Sequence, residues 1–182
     1  TGTTLVEEVA GVRFEVGVPQ AVMQEVIGSY SIEASPSPLD EMYWSWASGY
    51  RHLVVNFAVD LDKAEGGDGY VHVGSRDCGS DGELALEDRD SCGFVNTPAV
   101  ALDDVDLAAD RVAVNLATLL DGLDFVTQTM DHETGEVIGE GPGVACHSSP
   151  MQADCPTVFQ NLGLDMDSGE ATASANAVFG VE

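Results

Sequence analysis

The chain has 182 residues, 44% of them hydrophobic, and sets 6 Lys+Arg against 32 Asp+Glu for a formal net charge of −26. Length and apolar content suit one domain with a real core, so a single domain over 1–182 is expected. The charge argues against nucleic acid, whose phosphates bind Lys and Arg, and against anionic membrane surfaces; no apolar run approaches the ~18 residues of a span, so no membrane insertion is expected.

The opening TGTTLVEEV reads as a mature start rather than a targeting segment. VRFEVGV then puts Val12, Phe14, Val16 and Val18 on one face, the period-2 signature of a half-buried strand. PQAVMQEVIG fits two helical turns or a strand, and EASPSPLDE is a loop. MYWSWASGYRH gathers both tryptophans, Trp44 and Trp46, with Tyr43, Tyr50 and His52. On a strand both indoles share one face, which reads as core, and Gly49 marks a bulge or turn. YRHLVVNFAVDL follows with Leu53, Val55, Phe57 and Val59 in register, and GYVHVG is a further strand.

PAVAL and RVAVNL continue the alternation, the latter through Val112, Val114 and Leu116, and ATASANAVFGV closes the chain as a strand. LATLLDGLD and PTVFQNLG read as short helices ended by glycine, with Pro156 suited to the first helical position. DLDKAEGGDG, CGSDGELALEDRDSC and MDHETGEVIGEGPGVACHSSPMQADC read as long loops. The fold class expected is all-β: an antiparallel β-sandwich with long disulfide-stapled loops and one or two short helices.

Four cysteines fall into two local pairs, neither with the two-residue gap of a zinc knuckle. The simplest pairing is Cys78–Cys92 and Cys146–Cys155, although four cysteines allow three connectivities. Disulfides imply an oxidising compartment, so a periplasmic or secreted location is expected.

No G-x-S-x-G elbow, P-loop or G-x-G-x-x-G occurs, and Ser, His and Asp stand at no informative spacing, so no catalytic residue is assigned. Metal chemistry has more support. His52, His72, His132 and His147 all lie in motif-like stretches, with Met130 and Met151 near the last two. Imidazole with thioether favours copper over magnesium or calcium. Calcium is a separate candidate, because DLDKAEGGDG places Asp60, Asp62 and Asp68 around glycines, without EF-hand spacing; LDMDSGE is a weaker case.

VRFEVGVP, MYWSWASGYRHLVV, GYVHVGSRDC and CHSSPMQADCPTVFQNLGLD, in that order, resemble the MbnP family, the copper-associated partner proteins of methanobactin operons. The resemblance spans about Val12 to Leu164. It implies a periplasmic or secreted β-sandwich that binds copper and takes part in copper homeostasis. It also implies that a tryptophan is oxidised to kynurenine by a dihaem MauG-like (MbnH-type) oxidase, the chain being the substrate and not an enzyme. Ring opening turns an indole nitrogen, a poor ligand, into an aniline-type amine that coordinates.

Carried over by motif, His72 is the leading ligand, with Val73 where the family has Leu. Trp46 and Trp44 are the kynurenine candidates, in that order. The four cysteines match the family's loop cysteines. His52 stands where relatives often carry Phe, and His147 where Met is expected; both are candidate ligands. In related copper proteins the modified tryptophan precedes a metal histidine by two residues, and here that place is Tyr70. The rival readings are a calcium-stabilised acidic surface or adhesion module without a redox role, and a secreted hydrolase with a cryptic site.

Overall fold

The computed structural model describes residues 9–19, 39–44, 49–59, 67–78, 92–130, 134, 136–172 and 176–182. Ten strands are assigned there: β1 Gly11–Glu15, β2 Tyr43–Trp44, β3 Gly49–Val59, β4 Gly67–Gly74, β5 Ala99–Asp103, β6 Val112–Val114, β7 Val126–Met130, β8 Val137–Pro142, β9 Val144–Cys146 and β10 Phe179–Val181. Three short helices accompany them: α1 Leu39–Met42, α2 Leu116–Leu119 and α3 Cys155–Asn161. The all-β expectation is met, and both disulfides form as paired above. No helix among the described residues is long and apolar enough to cross a membrane.

The largest sheet has the order β2-β3-β4-β9, and three two-stranded sheets, β1-β5, β10-β6 and β7-β8, accompany it among the described residues. All pairings are antiparallel except β4 with β9, which is parallel. Alternation explains the core. On β4, Val71 and Val73 are fully buried, while on β5 Val100 and Leu102 point in and Ala99, Ala101 and Asp103 point out. Phe14 of β1, and Leu53, Val55 and Phe57 of β3, pack on the same cluster, as the sequence pattern requires. α3 fills the space between with Val158 and Phe159, both fully buried.

The two helices expected from sequence are α2 and α3. Asn115 caps α2 by accepting from the Thr118 N–H at 3.0 Å, and Gly122 beyond it has φ +78°. Pro156 sits in the first turn of α3, where its missing N–H costs nothing, and Gly163 follows at φ +67°. α1 is an addition, overlapping the end of the EASPSPLDE loop and the first residue of MYWSWASGYRH.

Three expectations need correction. The 130–155 stretch is not one loop, since β7 and β8 form a hairpin and β9 adds to the main sheet. The sequence carries no sign of this hairpin because β8 is exposed on both faces of Val137–Glu140 and shows no apolar alternation. β6 is a strand, but Val112, Val114 and Leu116 face outward at 51%, 44% and 47% exposure. It pairs only with β10, and it is Phe179 opposite Val114 that reaches the core, meeting the Phe14 ring edge-on at 6.5 Å. The last strand is confined to Phe179–Val181. The helix-or-strand candidate PQAVMQEVIG lies outside the described residues beyond Pro19.

Candidate metal centre

The β3–β4 ladder carries one irregularity. Leu53 pairs with Val73 and Arg51 with Gly74, so His52 is an extra residue in β3. The bulge sets the parity on either side. Beyond it, Val54 and Asn56 stand opposite His72 and Tyr70 on the outward face, away from Val71 and Val73.

His52 itself turns inward and is 8% exposed. Its Nδ1 accepts from the Val18 N–H at 3.3 Å, and its Nε2 lies 3.0 Å from the Val95 carbonyl, which fixes the Nε2–H tautomer. Burial pushes its pKa down to about 4, against a smaller upward pull from the Val95 bond. With both ring nitrogens committed to backbone, His52 fastens the end of β1 to β3 and does not offer a ligand nitrogen.

His72 and His147 come together. His72 faces outward from β4. β9 runs parallel to β4 with Tyr70 beside Ala145 and Val71 beside Cys146, so His147 emerges next to His72. Their ring centroids are 4.7 Å apart and the rings tilt by 33°. Tyr70 stacks on His147 at 4.2 Å and lies 5.5 Å from His72. His72 Nε2 is 2.8 Å from Asn56 Oδ1; an Nε2–H donating there leaves Nδ1 as the coordinating nitrogen.

Electrostatics keeps both rings neutral. Burial, then the charges of His147 and Arg51, lowers the His72 pKa to about 4, and burial followed by Arg51 lowers that of His147. Neutral imidazole is the metal-binding form. Burial raises the Tyr70 pKa, so the phenol stays protonated and serves as a stacking wall.

The Cys146–Cys155 loop fixes His147. Its N–H donates to Gln152 Oε1 at 2.6 Å, and Gln152 Nε2 donates to the Tyr70 hydroxyl at 3.4 Å. Ser148 Oγ accepts from the Gly74 N–H at 2.9 Å and donates to the His72 carbonyl at 3.2 Å, tying loop to strand at the site. Two neutral imidazoles with an amide-fixed tautomer fit a copper ion in donor chemistry. Among the described residues no group of three or more His, Cys, Asp or Glu could hold a metal, so this pair is an incomplete donor set.

The MbnP family profile matches residues 1–138. The chain belongs to the MbnP family. Among solved structures it is similar to MbnP from Methylosinus trichosporium, with a TM-score of 0.62 and 26% identity over 94% of this chain and 62% of that one. The chain therefore spans less than two thirds of that relative's length. No curated protein matches. His72 lies inside the MbnP match, whereas His147 and the Cys146–Cys155 loop lie past its end.

The remaining sequence candidates divide sharply. Trp44 is 5% exposed, and its Nε1–H donates to the Ser75 carbonyl at 2.9 Å. Trp46, His132, Asp60 and Asp62 lie outside the described residues. Asp68 belongs to β4 rather than a loop, exposed and opposite Ala58. In LDMDSGE, Asp165 Oδ1 accepts from Asp167 N–H, Ser168 N–H and Ser168 Oγ, so that carboxylate closes its own turn. Tyr70 shares the outward face of β4 with His72 because residues two apart on a strand do so. Asn56, Gln152 and Ser148 were not singled out from sequence; only Asn56, on the even parity of β3 opposite Tyr70, carried a readable signal.

Proposed function

We propose that this MbnP-family chain binds one copper ion outside the cytoplasm through His72 and His147, and takes part in copper homeostasis. The observation that supports this most directly is the 4.7 Å approach of two neutral imidazoles on one sheet face. Bound copper supplies a redox-active, imidazole-preferring cation at that face. Asn56 orients His72, Tyr70 and Gln152 orient His147, and burial keeps protons from competing for either ring. The two disulfides agree with an oxidising compartment.

In this reading the chain is no enzyme but the protein substrate of a dihaem MauG-like (MbnH-type) oxidase, which converts one tryptophan to kynurenine. Trp44 is sealed in the core with its indole N–H bonded, which makes Trp46 the favoured target. Tyr70 occupies the position two residues before His72, so the kynurenine amine has to come from the Trp44–Trp46 segment.

Intact mass after co-expression with the oxidase tests the modification. Net loss of one carbon and gain of one oxygen adds about 4 Da. The shift is expected to persist in W44F and vanish in W46F; an unchanged mass for the wild type removes the oxidation from the proposal. Copper titration of H72A tests the site, and unaltered binding there removes it.

A further inference from the structure

The β6–β10 ribbon carries an apolar face that begins in the core and runs out into water. Val112 stands opposite Val181 and Val114 opposite Phe179, so the four share one face. Phe179 is buried against Phe14, whereas Val112, Val114 and Val181 are exposed. Asn115 is still extended, so Leu116 continues the alternation, and Leu107 is exposed in the turn before β6. Nine large hydrophobic side chains are exposed among the described residues, and these five lie on one ribbon and its entry turn. Singly scattered, such side chains are ordinary; clustered, they mark a contact surface.

The backbone presents the same edge. Arg111 and Glu182 exchange N–H···O bonds in both directions at 2.8 and 2.9 Å, and Asn115 N–H donates to Val178 O at 2.7 Å. In an antiparallel ladder of that phase the N–H and C=O groups of Val112 and Val114 point away from β10. Among the described residues β6 pairs with β10 alone. An edge with apolar side chains and outward backbone groups is a template for a further strand.

Charge selects what occupies it. Residues 103–124, which hold β6 and both its flanks, contain six Asp, one Arg and no Lys or Glu. Glu182 closes β10 beside Arg111. A second copy of the chain would bring a further −26 to a surface that already repels it. A basic strand is drawn to the same place.

We propose that the apolar face of β6 and β10 docks an extended basic segment of a protein partner. The segment adds to the β6 edge as a strand, laying apolar side chains on Val112 and Val114 and its Lys or Arg among the aspartates.

Fluorescence anisotropy of the full chain with a labelled peptide of alternating Lys and Val tests this, a Lys/Thr peptide of equal length and charge serving as control. At ~0.15 M salt the Lys/Val peptide is expected to bind at least about tenfold more tightly than Lys/Thr. V112T/V114T is expected to abolish that preference and V181T to reduce it, with thermal unfolding confirming that these surface variants fold. The N-methylated Lys/Val peptide keeps its charge and side chains but donates no backbone bond, and is expected to lose the preference too. Equal affinity for Lys/Val and Lys/Thr, or a preference that survives V112T/V114T and V181T, overturns the inference. A preference that N-methylation leaves intact overturns the strand addition and the proposal with it. A dimer of the chain alone at the same salt, seen by sedimentation and abolished by V112T/V114T, gives the face to a second copy and also overturns it.

Discussion

His72 lies on β4 and His147 directly follows β9, which pairs with β4 in parallel, and their ring centroids stand 4.7 Å apart. Each ring has a different support, the Asn56 amide for His72 and the Tyr70 face for His147. Loss of either imidazole, as H72A or H147A, is expected to lower copper affinity at least about 100-fold, whereas N56A, which frees the His72 tautomer, costs about tenfold. Competition against a chromophoric chelator measures all three. Both rings are only half-buried, so unfolding free energies should change by less than about 1 kcal/mol. Equal copper affinity in H72A and the wild type rules out the pair as the centre.

His52 makes the opposite prediction. It accepts from Val18 N–H, faces the Val95 carbonyl and is held neutral down to about pH 4. The unfolded chain protonates this histidine near its ordinary value of 6.5, so between about pH 6.5 and 4 the unfolded state binds the extra proton. Its contribution is therefore complete above pH 6.5 and is lost as pH falls toward 4, by about 3 kcal/mol in all. Thermal unfolding of wild type and H52A across that window should show a steeper acid-side fall in the wild type. At pH 7, H52A should be less stable by about 1–3 kcal/mol, because two part-buried backbone groups lose partners. Parallel pH profiles would show that His52 is not the group responsible.

Sequence alternation foretold β1, β3, β4 and β5 because each buries one face, and a residue such as Val71 between Tyr70 and His72 leaves an unmistakable period. It failed for β8, where neither face is buried, and it misjudged β6, whose strand pattern said nothing about which side meets the core. The site was half legible. His72 could be named from a motif and His147 from its cysteine neighbour. Their meeting depends on the parallel β4–β9 register, a long-range pairing that no local pattern encodes. The fate of His52 depends on a bulge: one inserted residue sends His52 inward and Arg51 outward, a parity reversal that composition cannot announce.

Trp44 lies against Gly74, where a Cβ would come within 2.9 Å of its Cζ2, and donates its indole N–H to Ser75 O. W44F should cost about 1–3 kcal/mol, from the lost bond and the smaller ring. G74A should also destabilise, since its Cβ would stand 2.3 Å from the Tyr50 carbonyl, which cannot yield without disturbing the ladder. Chemical denaturation of both variants supplies the values. A neutral W44F would mean that the indole is not fixed as described, and would return Trp44 to equal standing with Trp46 as the oxidation target.

The two disulfides should separate stability from metal binding. Cys146–Cys155 closes a sequence separation of 9 and Cys78–Cys92 one of 14, so their removal as Cys→Ala pairs should cost comparable amounts, about 2–4 kcal/mol. Copper is where they differ. His147 follows Cys146 directly, and its N–H is bound to Gln152 inside the Cys146–Cys155 loop. Without that staple the span following β9 is tied to β4 only on one side by the β4–β9 ladder and beyond it through Ser148 and Gln152, and ordering it becomes a cost of binding. C146A/C155A is therefore expected to weaken copper at least about tenfold. Cys78 packs instead with Tyr50, with neither histidine among its described neighbours, so C78A/C92A should leave copper affinity within about threefold of the wild type at temperatures where both variants stay folded. Thermal unfolding paired with chelator competition reads the two effects independently. If both pairs lost copper in proportion to their stability, the loop would be only a general brace, and the specific link from Cys146 to the His147 ring would be wrong.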